Sequence, residues 1–117
     1  MPRPLALFCY NTPHKMDIKQ LSLAMDQFVR AKGWYAPDSL RPQTARSIAI
    51  SLNLEAAEIL EHFQWTESAK EPQELAGEMA DVALYLLQLA NLTGIDLESA
   101  VLDKLNKNYT RTWDNLE

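Results

Sequence analysis

The stretch from Met79 to Thr93 constrains the fold more than any other part of the chain. It reads MADVALYLLQLANLT, and Asp81 is its only charged residue. It lacks the alternation of apolar and polar residues that marks a half-buried strand, so we interpret it as a helix. Because most faces of this helix are apolar, we expect it to be buried nearly all round. The chain is therefore predicted to be an all-α protein in which other helices cover this one.

Three further segments carry apolar residues at helical spacing, and turn residues separate them. Asp96 is a good N-cap for the last helix, and Gly33 and Gly94 should end the first and third. Ser68 or Glu71 would cap the third. The first predicted helix covers about residues 17–31, and a loop follows it over 33–44. The second helix begins between 42 and 45 and ends near 64, the third runs from its cap to about 92, and the fourth begins after Asp96. Short connections between such helices are typical of a four-helix bundle.

The length and composition narrow the class of protein. We expect one domain over residues 1–117, with an N-terminal arm at 1–15 and a C-terminal tail at 110–117. The net charge of −5 argues against a nucleic-acid-binding surface. The single Cys9 suits a reducing compartment and is expected to be a small buried hydrophobe. No run is long enough to cross a membrane without a charge, so we expect a cytoplasmic protein.

Two pairs of carboxylates lie three residues apart in the predicted helices. Glu55 and Glu58 share a face of the second helix, and Glu78 and Asp81 share a face of the third. Two antiparallel helices placed side by side could point all four into one pocket. No Lys or Arg lies within one turn of Asp81, and a divalent cation would compensate its charge. Magnesium, with Mn²⁺ as a substitute, prefers such oxygen ligands.

A simpler interpretation of these acids stays open. Paired carboxylates are common on solvated helix faces, although four of them in two strongly apolar helices make that explanation weaker. Glu61 belongs to neither pair and could support the site or face solvent. Arg46 could reach a phosphate or form a surface salt bridge. His14 and His62 have no partner at ligand spacing, so both are expected to be structural or exposed.

Several blocks in one order resemble a known family. They are EAAEILEHFQW at residues 55–65 and EMADVALYLLQLANLTGIDLESAV at 78–101. The order E-x-x-E, F-Q-W, E-x-x-D with Tyr85 four residues on, then Gly-Ile-Asp-Leu, is similar to that of the all-α nucleoside triphosphate pyrophosphohydrolases. The similarity is strongest to their MazG-like and dCTP-pyrophosphatase-like branch, and it extends from about Ile18 to Arg111.

The resemblance implies a fold, a reaction and a set of site residues. The fold would be a MazG-like helical bundle that oligomerises through its helices, as a homodimer or homotetramer. The reaction would be hydrolysis of a nucleoside triphosphate to the monophosphate and pyrophosphate. Magnesium would be held by the catalytic carboxylates Glu55, Glu58, Glu78 and Asp81. The substrate would be contacted by Trp34, Trp65, Tyr85, Lys104 and Asn108.

Three of the residues assigned to substrate contact could also have a simpler role. Trp65 and Tyr85 could be core or interface anchors, and Lys104 could be a solvated side chain. The sequence also departs from the family: the loop after Trp34 looks longer, PQTARS replaces His-Thr-Pro, and TRTW replaces the closing Tyr-Pro. These departures bear on which nucleobase is preferred more than on the hydrolysis reaction.

Two other functions compete with this interpretation. One is another branch of the superfamily, such as a dimeric dUTPase or a phosphoribosyl-ATP pyrophosphohydrolase. The other is a non-catalytic helical oligomer that binds metal or a protein partner. Nucleotide-pool house-cleaning is one physiological role that an active enzyme would serve.

Overall fold

The computed structural model describes residues 15–112, and this part of the chain contains four helices and no strand. The helices are α1 (Ile18–Ala31), α2 (Ala45–Phe63), α3 (Pro72–Thr93) and α4 (Leu97–Thr110). The predicted all-α fold class is confirmed. The predictions for Cys9, for His14, and for most of the arm and tail concern residues outside the described range.

The helix starts follow from local capping groups. The Asp17 carboxylate accepts a hydrogen bond from the Gln20 backbone N–H at 2.8 Å, and the Gln20 side chain accepts one from the Asp17 N–H. Thr44 and Ser47 form the same reciprocal pair at the start of α2. Asp96 accepts a hydrogen bond from a backbone N–H in the first turn of α4, as predicted. These bonds satisfy amide donors that the first helical turn leaves unpaired.

The third helix begins and ends differently. Glu71 occupies its N-cap position without a capping hydrogen bond from its side chain, and Pro72 supplies the first helical residue. Pro is well suited there because its fixed φ is helical and no N–H is needed. Gly94 ends α3 with a φ of 72°, a left-handed conformation that favours glycine. Gly33 has a φ of 73° just after α1.

Helices α2 and α3 pack against each other as an antiparallel pair. His62, near the end of α2, contacts Glu78, near the start of α3. At the other end of the pair, the Gln88 carboxamide donates a hydrogen bond to Gln43, which precedes α2. This register places the acidic turns of the two helices side by side. Ile48 of α2 is 2% exposed and fills the interior near this end.

Helix α1 covers the C-terminal half of α3. Met25 and Val29 of α1 are buried with Leu87 of α3, and Trp34 and Tyr35 pack against this cluster. The Ser22 hydroxyl donates a hydrogen bond to Asn91 at 3.0 Å. Helix α4 makes its main contacts with α1 and has no buried residue.

The prediction that α3 is buried nearly all round is wrong for the single subunit. Only Leu87, Gln88 and Ala90 of α3 are buried in it, whereas Leu84 is 43% exposed and Asp81 is exposed too. The reason is geometric: α1 and α2 cover parts of α3, and α4 lies against α1. On α4, the apolar residues Val101, Leu102 and Leu105 are likewise about half exposed.

No helix within residues 15–112 combines the length and the apolar character needed to cross a membrane.

Candidate active site

The four predicted carboxylates come from adjacent turns of α2 and α3. Glu55 and Glu58 lie on α2, and Glu78 and Asp81 lie on α3. Glu55 and Glu78 are half-buried, whereas Glu58 and Asp81 are exposed. Each pair shares a helix face because its members are three residues apart. The antiparallel packing of the two helices then sets the pairs opposite each other.

The electrostatics of Glu55 show that the other three carboxylates act on it. Partial desolvation is the largest cause that raises the pKa of Glu55. The negative charges of Glu58, Asp81 and Glu78 raise this pKa further, in that order. Like charges disfavour the ionised form of a neighbour. The structure therefore brings the four acids into one negative cluster, which we call the acidic cluster (Glu55, Glu58, Glu78 and Asp81).

The chemistry of this donor set fits a hard divalent cation. Carboxylate oxygens are the preferred ligands of magnesium, and a cation would relieve the repulsion around Glu55. Among the residues from 15 to 112, however, no three carboxylate, imidazole or thiol groups already converge in a way that could hold a metal ion. Ligation by the acidic cluster thus depends on carboxylate side chains turning toward a common point.

His62 contacts the acidic cluster, which the sequence interpretation missed. Its Nε2 atom lies 2.7 Å from Glu78 Oε1, and the His62 and Glu78 side chains are 10% and 23% exposed. The sequence interpretation made His62 structural or exposed and named no partner for it, whereas the structure supplies Glu78 as that partner. The signal was its spacing: His62 follows Glu58 by four residues and Glu55 by seven, which places all three on one face of α2. Its partner lies on another helix, which spacing within α2 could not identify.

The aromatic residues predicted to contact substrate have different environments. Trp34 is half-buried and stands edge-on to the Phe28 ring, with ring centres 5.6 Å apart. It packs against the Met25 cluster, between α1 and α3. Tyr85 is half-buried on α3, one turn after Asp81. Trp65 follows the end of α2 and is 86% exposed. Along the chain, Trp65 lies between the two carboxylate pairs and Tyr85 follows the second pair. Trp34 instead packs against the hydrophobic cluster.

The two predicted polar contacts both lie on α4. Lys104 is exposed, and Asn108 is half-buried with its carbonyl oxygen enclosed. No hydrogen bond or ion pair found within residues 15–112 connects either side chain to the acidic cluster. Arg46 and Glu61 are both exposed on α2.

Two concave regions are lined by residues outside the acidic cluster. One, of about 240 Å³, is lined by residues of α1, the end of α3 and the start of α4, including Ser22, Asn91 and Leu97. The other is a shallower groove beside it that includes Arg30, Tyr35 and Gln43. None of the four carboxylates lines either region.

Comparison with known proteins adds an independent finding. The model of the MazG-like family matches residues 50–115, which include the acidic cluster and all of α3 and α4.

Individual relatives match shorter parts of the chain. A dATP/dGTP diphosphohydrolase of Salmonella phage PMBT28 is 52% identical over 42 residues, covering 36% of this chain and 14% of the phage protein. The dCTP pyrophosphatase 1 of Rattus norvegicus is 35% identical over 75 residues, covering 56% of this chain and 44% of the rat protein. The Mus musculus protein of the same name is 33% identical over 75 residues. The chain thus spans less than half the length of these relatives.

Proposed function

Because the chain belongs to the MazG-like family, we propose that it is a magnesium-dependent nucleoside triphosphate pyrophosphohydrolase. It would convert a deoxynucleoside triphosphate to the monophosphate and pyrophosphate. The observation that carries the proposal is the acidic cluster on two facing helices. Its members are close enough that the charges of the other three carboxylates raise the pKa of Glu55. The names of the relatives, which refer to dATP, dGTP and dCTP, support a deoxynucleotide substrate.

The cluster suits the triphosphate only when a cation intervenes. Four carboxylates repel phosphate oxygens, so binding of the bare anion beside them is unfavourable. Glu55, Glu58, Glu78 and Asp81 would hold the metal. The chemistry that bound magnesium supplies is neutralisation of phosphate charge and activation of a water molecule. The carboxylates of this chain would position that water in line with the bond to pyrophosphate.

The aromatic side chains are assigned to the nucleoside. Tyr85 lies one turn from Asp81 on the same helix, so its ring is within reach of a nucleoside whose phosphates lie at the cluster. Trp65 is 86% exposed just beyond α2, and such a large exposed aromatic surface suits stacking on a base. Trp34 would contact the nucleoside from the loop after α1.

The site also requires a second copy of the chain in this proposal. Lys104 and Asn108 lie on α4, and no hydrogen bond or ion pair within residues 15–112 joins either side chain to the acidic cluster of the same subunit. About half of the surface of Val101, Leu102 and Leu105 is exposed on this helix, and exposed apolar faces of this kind favour association. We assign the protein to a homodimer or homotetramer in which α4 borders the site of a neighbouring subunit. Lys104 would then neutralise phosphate charge.

Substrate profiling tests the activity. Pyrophosphate and monophosphate release should be measured with the canonical deoxynucleoside triphosphates and modified derivatives, in magnesium and then in EDTA. Magnesium-dependent release of both products is expected, and the preferred base would identify the branch. Folded protein that turns over none of them would overturn the proposal in favour of a non-catalytic metal-binding oligomer. Turnover confined to damaged nucleotides would support a house-cleaning role.

Subunit mixing tests the shared site. Lys104→Ala and Glu58→Gln should each be inactive alone, because each would remove one part of every site. When the two variants are mixed and allowed to exchange subunits, some sites regain an intact Lys104 and an intact Glu58, and activity should return. Absence of recovery, or a monomer in sedimentation at micromolar concentration, would contradict this arrangement.

A further inference from the structure

The hydrogen bond between His62 and Glu78 carries an inference that rests on the proposed metal site but not on the identity of the substrate. An ionised carboxylate can only accept hydrogen bonds, so the imidazole must donate through Nε2–H at the observed 2.7 Å. The bond engages Oε1 of Glu78. No hydrogen bond to the other carboxylate oxygen of Glu78 is found within residues 15–112, so that oxygen is left for another partner.

The hydrogen bond between His62 and Glu78 lies at one end of the acidic cluster. His62 lies on the face of α2 that also carries Glu55 and Glu58, and Glu78 opposes it from the first part of α3. The low exposure of His62, 10%, shields the bond from competing water. Because the charge of Glu78 acts on Glu55, the held carboxylate remains part of the cluster.

We propose that His62 is a positioning residue that holds Glu78 by one oxygen and thereby orients the other for the metal ion. A glutamate side chain has three rotatable bonds, and fixing one oxygen removes most of the freedom that metal binding would otherwise have to remove. Hydrogen bonds to metal-ligating groups act in this way, and their loss weakens metal affinity by about 10-fold to 100-fold. His62 would therefore set the affinity of the site for the cation without touching substrate.

Direct metal binding is the first test. Electron paramagnetic resonance measures the Kd of Mn²⁺ for the full chain in the absence of nucleotide. The measurement is made on the wild type and on the variants His62→Leu, His62→Gln and Asn53→Ala. The leucine variant should bind Mn²⁺ about 10-fold to 100-fold more weakly. The glutamine variant keeps an N–H donor and should recover part of the loss. Asn53→Ala changes an exposed polar residue of α2 and should match the wild type.

Kinetics supply a readout that a general loss of structure would not reproduce. At saturating Mg²⁺, kcat of His62→Leu should remain within about threefold of the wild type, while the Mg²⁺ concentration for half-maximal rate rises in proportion to the Mn²⁺ Kd. An unchanged Kd in a folded His62→Leu variant would overturn the inference. Tighter Mn²⁺ binding would also overturn it, because His62 would then compete with the ion for Glu78.

A spectroscopic test needs no variant of His62. The chain has two histidines, so nitrogen-15 spectra of the wild type and of His14→Asn identify the His62 ring. The metal-free protein should show a His62 ring that carries a proton at Nε2, and a ring protonated only at Nδ1 would overturn the inference. Failure of the proposed function gives a different result. If the wild type binds Mn²⁺ but hydrolyses no nucleotide, the proposed activity is wrong, and the inference about His62 can still be tested by Mn²⁺ binding. Wild-type protein that binds no Mn²⁺ would overturn both.

Discussion

Neutralising Glu55 should stabilise the metal-free protein, although the same change should impair its activity. Burial and three negative neighbours raise the pKa of Glu55 above its ordinary value of 4.5. A carboxyl group whose pKa rises on folding destabilises the folded state wherever it is ionised, so the cost is present at neutral pH. This destabilisation decreases as the pH falls through the raised pKa of the folded state, and it is absent below the ordinary pKa of the unfolded chain. Glu55→Gln removes the charge and keeps the shape.

The size of the effect follows from the neighbours. A like-charged pair three residues apart on a helix, such as Glu55 and Glu58, costs about 0.2–0.5 kcal/mol. Asp81 and Glu78 add repulsion from the facing helix, and partial burial adds a desolvation cost. Because Glu58 and Asp81 are exposed, water and salt screen much of this. We expect a net gain on the order of 1 kcal/mol, which raises Tm by about 4 °C in a chain of this size.

Thermal unfolding at one fixed protein concentration measures the effect. In EDTA at pH 7.5 and low salt, Glu55→Gln should melt above the wild type, and the difference should shrink in 1 M salt and at pH 4. Added Mg²⁺ should reverse the order, because the wild type gains stability by binding the ion and the variant gains less. Glu61→Gln is the matched control: Glu61 is exposed and lies three residues from Glu58, so losing its charge relieves one like-charged pair and should change the free energy of unfolding by less than about 0.5 kcal/mol.

Two results would refute this reasoning. If Glu55→Gln is no more stable than the wild type in EDTA, the four carboxylates do not repel one another across the two helices. If Glu61→Gln stabilises as much as Glu55→Gln, the gain comes from lower net charge alone.

Three further predictions concern the fold and the reaction. Ile48→Ala should lower the free energy of unfolding by about 2–5 kcal/mol in urea titrations because Ile48 is fully buried, whereas Ile50→Ala, at a 53% exposed position, should cost far less. Gly94→Ala should cost about 1–2 kcal/mol because the residue has a φ of 72°, whereas Gly77→Ala, in the helical interior of α3 with open space around the added methyl group, should gain about 0.5–1 kcal/mol by the same measurement. Asp81→Asn should abolish pyrophosphate release while the circular dichroism spectrum stays helical. A residual rate near that of the wild type would remove Asp81 from the reaction.

The grouping of the four carboxylates could be predicted from the sequence, whereas the contact of His62 with them could not. Glu55 with Glu58, and Glu78 with Asp81, share helix faces by spacing alone, and the packing of α2 against α3 does bring their charges together. The contact between His62 and Glu78 joins residues that are sixteen apart in the chain. It depends on the register between two helices, which no local pattern specifies. The environments of Trp34 and Lys104 depend in the same way on how α1 and α4 pack.

The sequence by itself determined where the helices begin and end, because those signals act over a few residues. Asp17, Thr44 and Asp96 cap through their own side chains, and Gly94 supplies a backbone conformation that other residues adopt only at a cost. Only the tertiary structure decided how much of each helix is covered. Apolar composition shows that a face favours burial, but it does not say what covers that face. In α3 the subunit buries one part and leaves Leu84 and Asp81 exposed, since burial is a property of the packed helices and not of the segment alone.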